Sequence, residues 1–303
     1  GKFKYAPPSG YLALCTANLP DPAIILPEEH FKTVIYTGAD TAANRSVTGV
    51  GFQPDLVWGK SRSDQFYHNW YDAVRGVGRR LVTNNDDAET TNHAYGYISS
   101  FDSDGFTTTA GSTNNENFNK TSSNYVAWNW KANGAGSSNS EGDEIATVSA
   151  NTAAGFSIVK YTSGGVDRKV GHGLGVKPDI ILQRNRAADS WYMYTDLIDG
   201  SPDAVNFDMN AAGYATSNHP VPDATEFHHR YSTSAEIIAY CWASIEGYSK
   251  MGIYDGTSLA NGPFVYTGFR PAMIISKRVD STDDWDILDN TRNTTNDGAT
   301  CAL

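Results

Sequence analysis

Four carboxylates in the second half of the chain have the chemistry to hydrolyse a glycosidic bond. They are Asp196, Asp199, Asp203 and Glu226. A glycosidase needs one carboxyl group as an acid and a second as a nucleophile or base, held at a defined separation. Because that separation is a property of the fold, the sequence leaves a glycan-degrading enzyme open as an alternative. The signal is weak in a chain with this many acidic residues.

Other residues of chemical interest favour structural roles. Residues 102–105, Asp-Ser-Asp-Gly, look like part of a calcium loop, but a full loop needs ligands over about 12 residues, so we expect a turn. We expect Asp86, Asp87 and Glu89 in a solvated loop and the pair His228-His229 at the surface. The sequence contains no Gly-x-Ser-x-Gly elbow. We therefore predict no enzyme activity and no catalytic, cofactor-binding or metal-binding residue.

A short pattern that occurs three times predicts the elements that would position any site. Each copy has Gly, an apolar residue, any residue, Pro, an apolar triplet and a cation, and an aspartate follows at a constant distance. The three sets are Gly51, Pro54 and Asp72; Gly175, Pro178 and Asp196; and Gly268, Pro271 and Asp289. The glycine permits an unusual backbone angle and the proline suits a strand start. We expect the aspartates to be turn or capping acceptors.

The side chains around the motif predict where the core lies. The triplets should enter the core, while the cations after them, Lys60, Arg184 and Lys277, should reach solvent. We expect the recurring tryptophans to be packed in the core rather than stacked on ligands. They are Trp58, Trp70, Trp130, Trp191, Trp242 and Trp285. Each such side chain is worth roughly 3–5 kcal/mol relative to alanine. We also expect Cys241, which lies in an apolar run, to be a core residue.

The repeat extends beyond its motif and divides the chain. A strand is expected before each motif, at 34–38, 158–162 and 252–256, and copies one and two end in closing strands at 125–130 and 237–242. The expected organisation is an N-terminal segment 1–30, unit one 31–131, a flexible polar linker 132–154, unit two 155–247 and a partial unit three 248–303. Residues 107–124 are expected to form a low-complexity loop within unit one.

Composition predicts the fold class and excludes some partners. Of the 303 residues, 12% are aromatic and only 19% are charged, while Asn, Thr, Ser, Gly and Asp are abundant, which favours turns and short strands. We predict an all-β fold of tandem β-sandwich-like units with short helices at most. A net charge of -11 repels nucleic acid and anionic lipid, and no long apolar run occurs, so neither nucleic acid nor membrane insertion is expected.

Several runs resemble a domain family of tailed bacteriophages, notably those of marine and cyanobacterial hosts. They include GVGFQPDLVW, SFDSDGFT, YVAWNWKA, AGFSIVKYT, VGHGLGVKPDIIL and FVYTGFRPAMIISKR. The opening run FKYAPPSGYLALCTANLPDP resembles the end of a SPRY-type lectin-like sandwich. The resemblance covers almost the whole chain, but the body of the SPRY domain and the closing strands of unit three are missing. This favours a piece of a longer fibre protein or a natural short version.

The resemblance implies a non-enzymatic structural protein of the virion, with the tail favoured over the head. Such a protein would lie in a tail fibre or adsorption apparatus and contact a glycan or protein on the host surface, through loops such as 107–124. A capsid-decorating or head-fibre protein is the first alternative, and a glycan-degrading, tailspike-type enzyme is the second. Other virion proteins would be its partners. Because edge strands expose unpaired backbone groups that another copy of the chain can bind, we also expect a homo-oligomer, with a trimer favoured for a fibre.

Overall fold

The computed structural model describes residues 23–216, 220–232, 234–259 and 262–292. Regular structure in these residues is almost entirely β, so the predicted all-β class is confirmed. The helices are a 3-10 turn Pro27–Glu29 and α1 Glu116–Asn119. The strands are β1 Phe31–Thr37, β2 Arg45–Thr48, β3 Leu56–Ser61, β4 Asn69–Asp72, β5 Arg79–Val82, β6 Thr90–Thr91, β7 Tyr97–Asp102, β8 Gly105–Thr109, β9 Asn124–Trp130, β10 Ser137–Asn139, β11 Ala146–Asn151, β12 Phe156–Thr162, β13 Arg168–Gly171, β14 Ile180–Asn185, β15 Trp191–Thr195, β16 Asp203–Asn206, β17 Tyr214–Ala215, β18 Glu226–His229, β19 Glu236–Trp242, β20 Met273–Lys277 and β21 Trp285–Asp289.

Units one and two each contain a large sheet with a corresponding strand order. The six-stranded sheet runs β1-β9-β3-β4-β5-β6, and the eight-stranded sheet runs β10-β11-β12-β19-β14-β15-β16-β17. In both, the closing strand lies between the first strand and the motif strand, and neighbours are antiparallel. Unit three contributes the two-stranded hairpin β20-β21. The repeat in the sequence is therefore a repeat in topology.

Each large sheet carries a smaller sheet on its outer face. The three-stranded sheet β2-β8-β7 covers the first, with Val47 and Phe106 packed on Val57, and β13-β18 covers the second, with Val170 and Phe227 in the corresponding core. Successive side chains of a strand point to opposite faces, so an inner strand with both faces covered is apolar throughout. Units one and two are thus two-layer β-sandwiches.

The inner faces of the sheets share one core rather than standing apart in a row. Trp58 and Trp70 of unit one, Tyr240 of unit two and Trp285 of unit three belong to a single buried cluster. The rings of Trp70 and Tyr240 lie 5.1 Å apart at 76°, an edge-to-face arrangement. The units therefore form one body with a common aromatic centre.

The segment 132–154 is not a flexible linker, contrary to the prediction. It contains β10 and β11, and β11 pairs along its whole length with β12. Ala146, Val148 and Ser149 are buried. Polar composition misled because serine and threonine suit a strand whose backbone hydrogen bonds are all made within a sheet.

Two further expected elements differ from the structure. Residues 252–256 form no strand, and no described closing strand pairs with them. Residues 107–124 are not a loop that projects from the unit: they hold the end of β8, helix α1 and the start of β9. Phe118 of α1 is buried in the outer core, and the Asn115 side chain donates to the carbonyl of Ala43 at 2.9 Å. Side-chain hydrogen bonds to backbone make this polar segment compact.

The motif glycines adopt the unusual backbone angle that was predicted, whereas one of the motif cations is not exposed to solvent as predicted. Gly51, Gly175 and Gly268 have φ of 85°, 73° and 86°, in the left-handed region that glycine adopts without strain. Arg184 is fully buried instead of reaching solvent. Its guanidinium lies 5.5 Å from the Trp191 ring centroid and donates to the carbonyl of Asp87 at 2.5 Å. An arginine can be buried where an aromatic face and a carbonyl replace water.

Most of the tryptophans are core residues, as predicted. The buried members of the predicted set are Trp58, Trp70, Trp130, Trp191 and Trp285, whereas Trp242 is partly buried. Cys241 is fully buried, and burial raises the pKa of its thiol to about 12. The N-terminal segment 1–30 lies outside the described residues up to position 22, as does the end of unit three from position 293.

Candidate functional site: the junction of the three units

The repeated aspartate of unit one ties two units together. Asp72 is fully buried and accepts from the Arg75 amide at 2.7 Å and from Arg75 Nε at 2.5 Å. The hydroxyl of Tyr240, on the closing strand of unit two, donates to the same carboxylate at 2.6 Å. Burial alone would lower the pKa of Arg75, but the charge of Asp72 raises it. The Arg75 guanidinium is therefore held charged inside the core.

Asp289 repeats this arrangement between units three and one. It accepts from the Arg292 amide at 2.8 Å and from Arg292 Nε at 2.5 Å. The donor from the other unit is the indole Nε1 of Trp128, on the closing strand of unit one, at 3.1 Å. Trp128 and Tyr240 occupy corresponding positions of their closing strands. Each aspartate thus receives a hydrogen bond from the closing strand of a different unit.

Asp196 shares the sequence spacing but not the environment. The β14-β15 hairpin is one residue shorter than β3-β4: Leu56 faces Asp72, whereas the Ile181–Tyr194 register brings Thr195 to the corresponding place. A shift of one residue moves a side chain to the other face of the sheet. Asp196 instead binds the exposed Lys177 at 2.5 Å. Equal spacing therefore does not mean an equal role here.

Within the acidic cluster predicted to be solvated, Glu89 forms a joint between units, whereas Asp86 and Asp87 are exposed. Glu89 of unit one binds Arg186 of unit two at 2.6 Å and Arg75 at 3.0 Å, and its side chain is largely buried. Burial alone would raise the pKa of Glu89, but the hydrogen bond from Arg186 and the charge of Arg75 hold it below the usual value. Two arginines are sufficient compensation for one buried carboxylate.

An open cleft of about 430 Å³ lies where the three units meet. It is lined by Trp58, His68, Thr83, Asn84, Phe207, Asp208, Met209, Asn210, Ala211, Asp284 and Trp285. Unit one supplies the first four residues, unit two the next five and unit three the last two. The chain brings them together only because the three inner faces converge on one core, and pockets at such junctions are common ligand sites.

The cleft combines aromatic rings with hydrogen-bond acceptors. The Phe207 ring lies 4.8 Å from Trp285 and 5.7 Å from Trp58. Both indole N–H groups are used internally, since Trp58 donates to Thr83 and Trp285 to the carbonyl of Asn206. Burial raises the pKa of Asp208. Burial, with the charge of Lys60, lowers the pKa of His68 to about 3, so its imidazole is neutral. The rings are buried, so the carboxyl and amide groups are what the cleft offers to a small polar ligand that bears hydroxyl groups.

The four candidate catalytic carboxylates do not form one group. Asp196, Asp199 and Asp203 lie around the β15-β16 connection, and burial followed by the charge of Asp199 raises the pKa of Asp203. Glu226 begins β18 in a separate two-stranded sheet and pairs with Lys169. None of the four lines the cleft at the junction.

The histidine pair differs from its prediction, because His229 does not lie at the surface. His229 is fully buried beside Tyr161, with ring centroids 5.2 Å apart, and burial lowers its pKa. Across the part of the chain that the structure describes, no three His, Cys, Asp or Glu side chains could hold a metal ion. Within the same residues, no helix has the length and apolar character needed to cross a bilayer.

Sequence reasoning missed the donors that join the units. The sequence did contain a signal for these donors: Trp128 lies two positions after Val126 in one closing strand, and Tyr240 lies two positions after Ile238 in the other. The Asp of the Pro-Asp pair was also missed: Asp55 and Asp179 accept from the amides of Ala132 and Ser244, each at 2.7 Å, just past a closing strand. Burial raises the pKa of Asp55.

Fold and junction together define an all-β protein of repeated sandwich units around a shared aromatic core. The chain belongs to a family described as a domain of unknown function (DUF7483), whose model matches residues 26–303. No curated protein and no solved structure matches the chain. The family match begins near the end of the N-terminal segment 1–30 and covers all three units.

Proposed function

We propose that the chain is a non-enzymatic structural protein of a tailed-phage particle, in the tail fibre or adsorption apparatus. The observation that carries this proposal is how the repeated residues are used. Asp72 and Asp289 are buried in ion pairs that accept hydrogen bonds from Tyr240 and Trp128 of other units. Residues repeated for joining units are typical of a scaffold. The resemblance of the motif runs to virion proteins supports the same function.

In this proposal the cleft at the junction contacts the host surface. Its amide and carboxyl groups match the hydroxyl groups of a glycan, while the buried rings of Trp58, Phe207 and Trp285 support them from the core. The closing strands and ion pairs would hold the cleft rigid, which favours binding because little freedom is lost. The protein would act as a homo-oligomer in the particle, with a trimer expected for a fibre.

A capsid-decorating or head-fibre protein is the second candidate, and one observation favours it. Unit three exposes several large apolar side chains close together in the sequence. They are Ile253, Tyr254, Leu259, Phe264, Val265, Tyr266, Ile274 and Ile275. Apolar surface of this kind is typical of docking onto another protein. Such docking would fix the chain to other virion proteins in either location.

Labelling of intact particles tests the location. Purified particles are treated with a gold-conjugated antibody against this chain and imaged. We expect gold at the distal tail. Gold over the head would contradict the tail assignment and favour the decorating protein, and particles without gold would contradict both.

An adsorption assay tests the role of the cleft. Purified chain at increasing concentration is expected to slow adsorption of particles to host cells. Asn210→Asp, which adds a charge to the cleft, should weaken this competition at least tenfold, while Asn151→Asp, on β11 away from the cleft, should not. Equal competition by both variants would show that the cleft is not the contact.

A further inference from the structure

The lining of the cleft at the junction carries negative charge. Among the described residues that line it, the ionisable side chains are His68, Asp208 and Asp284, and none is Lys or Arg. The His68 imidazole is neutral at physiological pH, because burial and the charge of Lys60 lower its pKa to about 3. The charged groups that a ligand meets at the walls of the cleft are therefore two carboxylates.

Asp208 is the carboxylate of the unit-two wall. One of its oxygens accepts from the Trp191 amide at 3.2 Å, which fixes the side chain in place. Burial raises the pKa of Asp208, while the Trp191 amide and the charge of Arg184 oppose that rise. Arg184 is fully buried and does not line the cleft. It therefore reduces the negative potential of Asp208 without offering a donor to a ligand.

The unit-three wall adds to the negative charge. Asp284 is exposed, and it follows Asp283 in the connection between β20 and β21. Burial, followed by the charges of these two aspartates, raises the pKa of Asp286, so negative charge is concentrated at this connection. Lys277, at the end of β20, donates to two backbone carbonyls and does not line the cleft.

Carboxylates at these positions act differently on different sugars. They accept hydrogen bonds from hydroxyl groups, but they repel a carboxylate, sulfate or phosphate group on a ligand. That repulsion is stronger in a cleft than in bulk water, because the effective dielectric constant is lower there. Like charges brought together at a contact suppress wrong partners, which is how a site gains specificity.

We propose that the cleft selects uncharged glycans and excludes acidic ones, and that Asp208 and Asp284 determine this selectivity. Because the cleft is taken as the contact with the host surface, the selectivity rests on the proposed function. The amide groups of Asn84 and Asn210 supply donors to the sugar hydroxyls, and the two carboxylates supply acceptors. Surface polymers of the same host that carry uronic acids, sulfates or phosphates are then poor ligands.

Binding of matched glycans tests the selectivity. Surface polysaccharide from host cells is separated by anion exchange into a neutral and an acidic fraction. Each fraction is passed over the immobilised full chain at about 0.15 M salt, and binding is followed by surface plasmon resonance. A third sample is the neutral fraction with its primary alcohols oxidised to carboxylates, which adds charge to the same backbone. We expect the neutral fraction to bind about tenfold or more tightly than either charged sample.

Salt and charge-matched variants separate the cleft from the net charge of the chain. Raising the salt to about 1 M shortens the screening length from about 8 Å to about 3 Å, so the oxidised sample should regain affinity. Asp284→Asn should narrow the difference in affinity between the neutral and oxidised samples about fivefold. Asp280→Asn removes the same charge from the same connection, at a side chain that is 74% exposed and outside the lining, and should leave the difference unchanged.

The outcomes distinguish the selectivity from the contact itself. Equal binding of the neutral and oxidised samples would overturn the proposal, as would tighter binding of the acidic fraction or equal effects of the two variants. Each of these results would leave the cleft as a glycan contact and change only what it selects. If no sample binds the wild-type chain, the proposed contact with host glycan is contradicted, and the selectivity fails with it.

Discussion

Replacement of Asp72 by alanine should be among the most destabilising changes of a polar residue in this protein. The carboxylate is fully buried and holds three donors: Arg75 Nε, the Arg75 amide and the Tyr240 hydroxyl. Removing one partner of a buried ion pair costs about 3–5 kcal/mol, because the other charge remains in the core. Glu89, 3.0 Å from Arg75, compensates part of that charge. We therefore expect a loss of about 3 kcal/mol.

The matched control is Asp196→Ala, because Asp196 holds the same position in the sequence repeat as Asp72. Asp196 binds the exposed Lys177, and exposed ion pairs contribute about 0–1 kcal/mol. The free energy of unfolding is measured for wild type, Asp72→Ala and Asp196→Ala by urea titration with tryptophan fluorescence. If Asp72→Ala does not fold, Tyr240→Phe removes a single hydrogen bond to the carboxylate and should cost about 1.5–3 kcal/mol.

Equal losses for the two aspartates would refute this reasoning. They would mean that position in the sequence repeat, rather than burial and the joint between units, sets the contribution. A loss below about 1 kcal/mol for Asp72→Ala would also refute it, because a buried guanidinium that is only partly compensated by Glu89 should cost more than that.

Three further measurements test separate features. His68 has a folded pKa of about 3 against 6.5 unfolded. Its contribution to stability is therefore complete above pH 6.5 and is lost as the pH falls toward 3, by at most about 1.4 kcal/mol per pH unit. In urea titrations between these pH values, His68→Gln should flatten the dependence of stability on pH, and an unchanged slope would contradict this prediction. Cys241, in a variant without the other cysteines, should react with a thiol reagent only on unfolding, and fast labelling of the native protein would show that β19 is accessible. Segment 132–154 should resist limited proteolysis under native conditions because β11 is paired along its length, and early cleavage there would restore the linker interpretation.

The elements of this fold could be predicted where the pattern is local. A glycine before a proline and an apolar triplet indicates a strand start whatever surrounds it, and all three motifs begin strands that pair in hairpins. Aromatic side chains of this size must leave water, so the burial of Trp58 and Trp70 also follows from residue type. The predicted all-β class rests on these local preferences.

Polar residues were harder to place, because their environment depends on partners far along the chain. Segment 132–154 resembles a linker until β12 supplies the hydrogen bonds that its backbone needs. Glu89 was predicted to be solvent-exposed because the sequence does not show that Arg186, in another unit, pairs with its charge. The expected exposure of Arg184 failed for the same reason, since the ring of Trp191 and the Asp87 carbonyl replace water around it.

The sequence by itself determined that three related β units exist and which of their residues repeat. Only the tertiary structure decided that Asp72 and Asp289 join units while Asp196 does not, because one residue less in a hairpin turns a side chain to the opposite face. It alone brought residues from three units into one cleft, since convergence of sheet faces depends on contacts between residues distant in the chain.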